Sequence, residues 1–147
     1  MEIKATLLKP YTADDRFNFI ANNTRLGYQF EETKTALEAW GYTQEEQEEQ
    51  EAERIAQLHL TRGDVFRGLL QAKGITRAQI RAMIEQMPDT TPAEQLAKEM
   101  ALIDFDEALE FYRGVPLINT LGTALGITSQ QMTKFFKTND WRELNAD

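Results

Sequence analysis

The sequence predicts a mainly α-helical chain of the α+β class. It comprises a small N-terminal helix with a β-hairpin, an acidic connecting helix, and a C-terminal all-α domain in which two αα-corners flank a long helix. Three observations carry this reading. Gly74-Ile75-Thr76 is repeated 52 residues later as Gly126-Ile127-Thr128, and the flanking apolar residues repeat with it. Residues 43–58 hold six glutamates against one arginine, a helical run with few apolar positions. Before that run, apolar and polar residues alternate with period two, the spacing of a half-buried strand. The corresponding divisions are residues 1–45, 46–60 and 61–147.

The first nine residues alternate loosely through Ile3, Thr6 and Leu7 and read as an edge strand. Thr12 with Asp15 at N3 starts a short helix whose apolar side is Phe17, Phe19 and Ile20, and which fades at Asn22-Asn23. Residues 26–32 and 35–41 follow as a two-stranded antiparallel unit, which needs the helix or a partner over one face because an isolated hairpin is marginal in water. Thr43 and Glu46 form a capping box that opens the acidic helix. Polar on nearly all sides, such a helix bridges domains or faces solvent, so the domain boundary falls within it. Thr61 caps the next helix, which runs to Lys73. Thr91-Pro92-Ala93-Glu94 combines an N-cap, Pro at N1 and Glu at N3; the long helix it starts carries Leu96, Met100, Ile103, Phe105, Leu109 and Tyr112, and Arg113-Gly114 ends it. Pro116 opens the second corner, and Trp141 and Leu144 fold back onto it.

Each corner follows from its atoms. Glycine has no Cβ to clash in the left-handed conformation that ends a helix. Threonine then caps the next helix, and Gln79 or Gln131, three residues on, reaches back to close the box. Ile75 and Ile127 stand at N′ and are placed to staple onto Ile80 and Met132 at N4. The match extends outward, pairing Val65 with Leu117, Phe66 with Ile118, Leu69 with Leu121, and Met83-Ile84 with Phe135-Phe136.

Composition narrows the function. The chain has 147 residues with no cysteine and one histidine, which excludes disulfides, thiolate zinc sites, cysteine nucleophiles and paired-histidine metal motifs. No apolar run approaches the length of a membrane span, and Met1-Glu2-Ile3-Lys4 lacks the pattern of a signal peptide. The expectation is a product in the cytoplasm of a bacterial host, or one associated with a virion, needing no cofactor. The net charge of −8 is uneven: the acidic run leads directly into five basic residues, Arg62, Arg67, Lys73, Arg77 and Arg81, with only Asp64 among them. Solvated faces, an internal electrostatic partnership and a surface for a partner are the three readings of that asymmetry.

No catalytic constellation emerges. Asp104, Asp106, Glu107 and Glu110 form an acidic cluster on the long helix and read as its wet side, since no calcium-loop pattern accompanies them. His59 has a structural or surface role. Arg62-Gly63-Asp64 spells an attachment tripeptide but falls in the first turn of a helix. Trp40-Gly41-Tyr42 reads as core between hairpin and short helix, with an aromatic protein-contact surface at Trp40 and Tyr42 as the other reading. In the second corner Ser129, Gln130, Thr133 and Lys134 are the residue types that contact base edges and phosphates in a helix-turn-helix, although the acidity of the chain opposes nucleic-acid binding.

Lys9-Pro10-Tyr11-Thr12, Phe19-Ile20, Gly27-Tyr28, Glu32-Thr33 and the run Leu37-Glu38-Ala39-Trp40-Gly41-Tyr42-Thr43 together resemble small proteins encoded in prophages and tailed phages, over about the first third of the chain. Arg62-Gly63-Asp64-Val65-Phe66 and Ile103-Asp104-Phe105-Asp106 are similar to longer relatives in the same setting. The resemblance implies a place near tail genes and brings no catalytic residues. The expected function is that of a non-enzymatic phage or prophage accessory that binds another, phage-encoded protein, in tail assembly or as a virion component. The alternative is a helix-turn-helix-like DNA-binding regulator of a prophage.

Overall fold

The computed structural model describes residues 1–146, and the chain divides into two compact units, Met1–Ala52 and Glu53–Asp147. Along the chain run β1 (Glu2–Leu8), α1 (Ala13–Thr24), β2 (Gln29–Glu32), β3 (Ala36–Gly41), α2 (Gln44–Ala56), β4 (His59–Thr61), α3 (Arg62–Lys73), α4 (Arg77–Glu85), α5 (Pro92–Glu107), β5 (Glu110–Tyr112), α6 (Pro116–Leu125) and α7 (Ser129–Thr138), then a 3₁₀ turn at Trp141–Leu144. The limit between the units lies within α2.

In the first unit the sheet has three strands, not two. β3 is central and antiparallel to both β1 and β2. β1 supplies the second row of backbone partners that a bare hairpin lacks. Ala5, Leu7, Phe30, Leu37 and Ala39 share one face by register. The Phe19 ring of α1 meets the Phe30 ring edge-on at 6.2 Å, so α1 covers this face. Thr12 and Asp15 close the expected capping box. The helix continues past Asn22-Asn23 to Thr24 because Asn23 Nδ2 donates to the Phe19 carbonyl (2.8 Å) and Thr24 Oγ1 to that of Ile20 (2.6 Å). β2 accordingly starts at Gln29 instead of Leu26, after a turn in which Gly27 has φ 74°. Of the Thr43–Glu46 box only the Thr43 half forms, through the Glu46 N–H (3.1 Å); the Glu46 carboxylate instead pairs with the Met1 amino group.

At one edge of this unit Glu32 gathers the Tyr11 hydroxyl, Lys9 Nζ (3.3 Å) and Arg16 Nε (3.7 Å). The Tyr11 hydrogen bond, followed by Lys9, holds the Glu32 carboxyl below its ordinary value. Because the folded-state value is depressed, the contribution of this cluster is present above the unfolded pKa of Glu, about 4.3, and is lost as pH falls through the lower folded value. Tyr11→Phe is expected to raise the Glu32 midpoint toward the ordinary one in a carboxyl NMR titration. An unmoved midpoint would remove the hydroxyl as the main cause.

In the second unit both corners form as the repeated tripeptides demand. Gly74 and Gly126 sit at φ 65° and 69°. Thr76 with Gln79 and Thr128 with Gln131 complete reciprocal capping boxes. The matched positions are buried together: Val65 and Leu117, Leu69 and Leu121, Ile80 and Met132, Ile84 and Phe136 all belong to one core. Ile127 lies in that core and Ile75 packs against it. α3 and α7 approach closely at Gly68, where an added Cβ would lie 2.4 Å from Phe135 Cζ. Leu144 is fully buried, while Trp141 stays at the rim with 36 % exposure.

The second unit is not all-α. The expected long helix stops at Glu107, five residues short of Tyr112, and the chain leaves it through Ala108 in an extended conformation (ψ 130°). Glu110–Tyr112 then pairs antiparallel with His59–Thr61, directly after the acidic helix. The Arg62 backbone N–H donates to the Leu109 carbonyl (2.9 Å), and its guanidinium donates to the Phe105 carbonyl in the last turn of α5. The same guanidinium covers the Phe66 and Phe105 rings at 4.8 and 5.3 Å. Phe111, inside the ribbon, points into the core against Phe66. A helix carried on to Tyr112 would forgo these contacts.

Since Leu69 and Leu121 each fill the shared core, Leu69→Ala and Leu121→Ala should each lower stability by about 2–5 kcal/mol in urea unfolding. A loss below about 0.5 kcal/mol, the range of ordinary surface changes, would take that side chain out of the core.

Candidate functional site

The unit's clearest unpartnered surface is on α5. Ala101 and Phe105 turn inward, and α4 and α6 pack against the inner side. On the outer side Leu96, Met100 and Ile103, spaced i, i+4 and i+7, remain 62 %, 53 % and 51 % exposed. Residues so spaced lie along one helical face, so these three form a continuous stripe. Beside it is a partly enclosed cavity of about 170 Å³ whose lining includes Met87, Ala97, Met100, Ala101, Pro116 and Leu117. Met100 belongs to both. Two thioethers give this wall unbranched side chains that adapt to an occupant.

Carboxylates border the stripe. Asp106 pairs with Arg81, and Lys98 with Asp89 at 3.0 Å. Glu99, Asp104 and Glu107 have no cation facing them among the described residues, and Asp104 lines the cavity itself. The acidic cluster expected on the long helix is thereby divided: Asp104, Asp106 and Glu107 are on α5, whereas Glu110 is on β5. Among the described residues no three His, Cys, Asp or Glu side chains converge to hold a metal ion, and no helix is long and apolar enough to cross a membrane.

The other sequence candidates are dispersed. Trp40 does not lie between sheet and helix. By register it faces away from α1, opposite Ile3 and Gln29, with Nε1 donating to Glu38 Oε2 (3.1 Å). Gly41 is buried and Tyr42 exposed. Among the basic residues Arg62 is held by Phe66 and Phe105, Arg67 pairs with Asp64 (2.6 Å), and Arg81 pairs with Glu85 and Asp106. Lys73 and Arg77 are exposed. Arg62-Gly63-Asp64 opens α3, with Asp64 N–H bound to Thr61 Oγ1 (3.2 Å). His59 is exposed on β4 beside the Tyr112 ring.

No protein-family model, curated protein or solved structure matches this chain. What the site can do must therefore be argued from its own geometry.

That geometry bears on the second corner. Ser129 and Thr133, two of the four residues suited to a nucleic acid, are hydrogen-bonded to Arg113. Arg113 Nε donates to Thr133 Oγ1 (3.2 Å), Nη1 to Asn119 Oδ1 (2.7 Å), and Nη2 to the Ser129 carbonyl (3.3 Å) and hydroxyl (2.9 Å). Ser129, Gln130 and Lys134 are exposed and Thr133 is half-buried. Arg113, expected merely to end a helix, is instead a buried clasp between β5, α6 and α7. Sequence reasoning passed over it because an arginine before a glycine at a helix end is common and solvated. The signal for the α5 stripe was present as Leu96, Met100 and Ile103, but an amphipathic spacing does not say whether a face is covered.

Proposed function

We propose that this chain is a non-enzymatic accessory protein that works by docking a protein partner on the outer face of α5. The observation that carries the reading is the stripe Leu96, Met100 and Ile103, more than half exposed, beside an apolar cavity. Exposed apolar groups that share one helical face and border a cavity mark an interaction surface, whereas scattered ones do not. The partner we assign is an amphipathic helix with apolar anchors and basic flanks, laid into the groove in the helix-in-groove mode.

Charge decides between this partner and a second copy of the chain. A symmetric contact would bring Glu99, Asp104 and Glu107 against the same carboxylates, and like charges juxtaposed at an interface are costly. A basic segment offsets them and gains from the overall charge of −8 during encounter. The likeness of the N-terminal third to phage-encoded proteins makes a phage-encoded partner the first candidate, in tail assembly or in the virion. A DNA-binding role draws less support, because Ser129 and Thr133 are hydrogen-bonded to Arg113.

A synthetic helix of roughly 18 residues, about five turns, with leucine on one face and lysine on its flanks tests the reading. It should bind, and the affinity should fall between about 0.1 M and 1 M salt as the Debye length shrinks from about 10 Å to 3 Å. Met100→Glu should weaken binding more than about tenfold, and the same peptide with glutamate in place of lysine should not bind. Failure of the lysine peptide, indifference to Met100→Glu, or dimerisation through α5 in sedimentation would each overturn it.

A further inference from the structure

Arg113 is only 5 % exposed, and every group that accepts from it is neutral: Thr133 Oγ1, Asn119 Oδ1, and the Ser129 carbonyl and hydroxyl. Burial pushes its pKa down, yet a guanidinium remains protonated at any working pH. Its charge has no carboxylate partner among the described residues, and one of its Nη1–H groups has no acceptor there. Neutral acceptors satisfy the N–H groups without cancelling the charge. A buried ion without compensation is costly. The neutral acceptors on α6 and α7 call for donors and not for a charge, so the positive charge of Arg113 is left over.

Arg113 also lines an open cavity of about 300 Å³, with Asn119, Thr123, Thr128 and Ser129 among the other walls and no acidic side chain. The cavity lies at the first turn of α7, ten residues long, where the Ser129 and Gln130 N–H groups find no acceptor among the described residues. The N-terminus of a helix carries partial positive charge and unsatisfied donors. Guanidinium, hydroxyl and backbone donors thus reach one polar cavity from different sides.

We infer that this cavity binds a phosphate group, with the Arg113 guanidinium as its counter-charge, the Ser129 N–H group as a donor, and the Thr123 hydroxyl at its rim. A tetrahedral oxyanion accepts from several directions at once, whereas a planar carboxylate accepts chiefly in its own plane. The site is on α6 and α7, so it does not depend on the α5 docking face.

Inorganic phosphate is the probe, titrated into the full chain against acetate and chloride at equal ionic strength. At a concentration tenfold above its Kd, phosphate should raise Tm by about 3–6 °C and move the Ser129 amide resonance, while acetate does neither. Arg113→Met should abolish both responses. Because a change at a buried residue can unfold the protein, Thr123→Glu is the second variant. It places a carboxylate at the cavity rim, and should raise Tm without phosphate and remove the response to it. O-phosphoserine and adenosine monophosphate separate the sources. Tighter binding of one than of the free ion supports the site and names a peptide or a nucleotide; equal binding supports the free ion. Phosphate no better than acetate, or a phosphate response that survives Thr123→Glu, would overturn the inference.

Discussion

The second unit depends on the burial of two corners' apolar faces in a single core. Neither corner is self-sufficient: a pair of helices of nine to twelve residues leaves one whole side to be covered, and helices this short draw most of their stability from packing rather than propensity. The first corner presents Val65, Leu69, Ile80 and Ile84, the second Leu117, Leu121, Met132 and Phe136, and each supplies the cover that the other lacks. Gly68 sets how closely α3 and α7 approach, because the Phe135 ring occupies the space of a missing side chain. The rest is arranged around that contact.

The β4–β5 ribbon fits the same logic. Three-residue strands contribute little alone, but this pair delivers Phe111 to the core, and each strand is followed directly by an arginine, Arg62 after β4 and Arg113 after β5. Arg62 closes the end of α5 and stacks on two phenylalanines; Arg113 binds groups of α6 and α7. Two arginines thus hold irregular backbone in place, one over aromatic faces and one through neutral acceptors. Arginine suits both tasks because its planar fork donates in fixed directions and is more weakly hydrated than an ammonium.

The function we propose follows from what this packing leaves over. α5 turns one side to α4 and α6 and keeps a second apolar stripe outside. A helix that served only the core would be polar there. In the docking role we propose, the carboxylates bordering the stripe would favour a basic segment, and the cavity beside it would take an anchor side chain.

The local features were legible in the sequence because they are governed by atoms close along the chain. A glycine without Cβ must be where φ turns positive, and threonine with glutamine three residues on must form a box; Gly74, Thr76, Gln79 and their later counterparts obey both rules. The acidic helix and the inward positions of both corners followed from periodicity in the same way. Contacts between residues far apart in sequence were not legible. β1 joins β3 across 28 (Leu8 to Ala36) to 39 residues (Glu2 to Gly41), and β4 finds β5 across about fifty. Three-residue strands carry no period, so Glu110–Tyr112 read as more helix. The same reason hid Arg113, whose partners lie 6 to 20 residues further on. It also hid which side of α5 is covered: spacing puts Leu96, Met100 and Ile103 on one face, but only the packing of α4 and α6 against the other side decides that this face stays open.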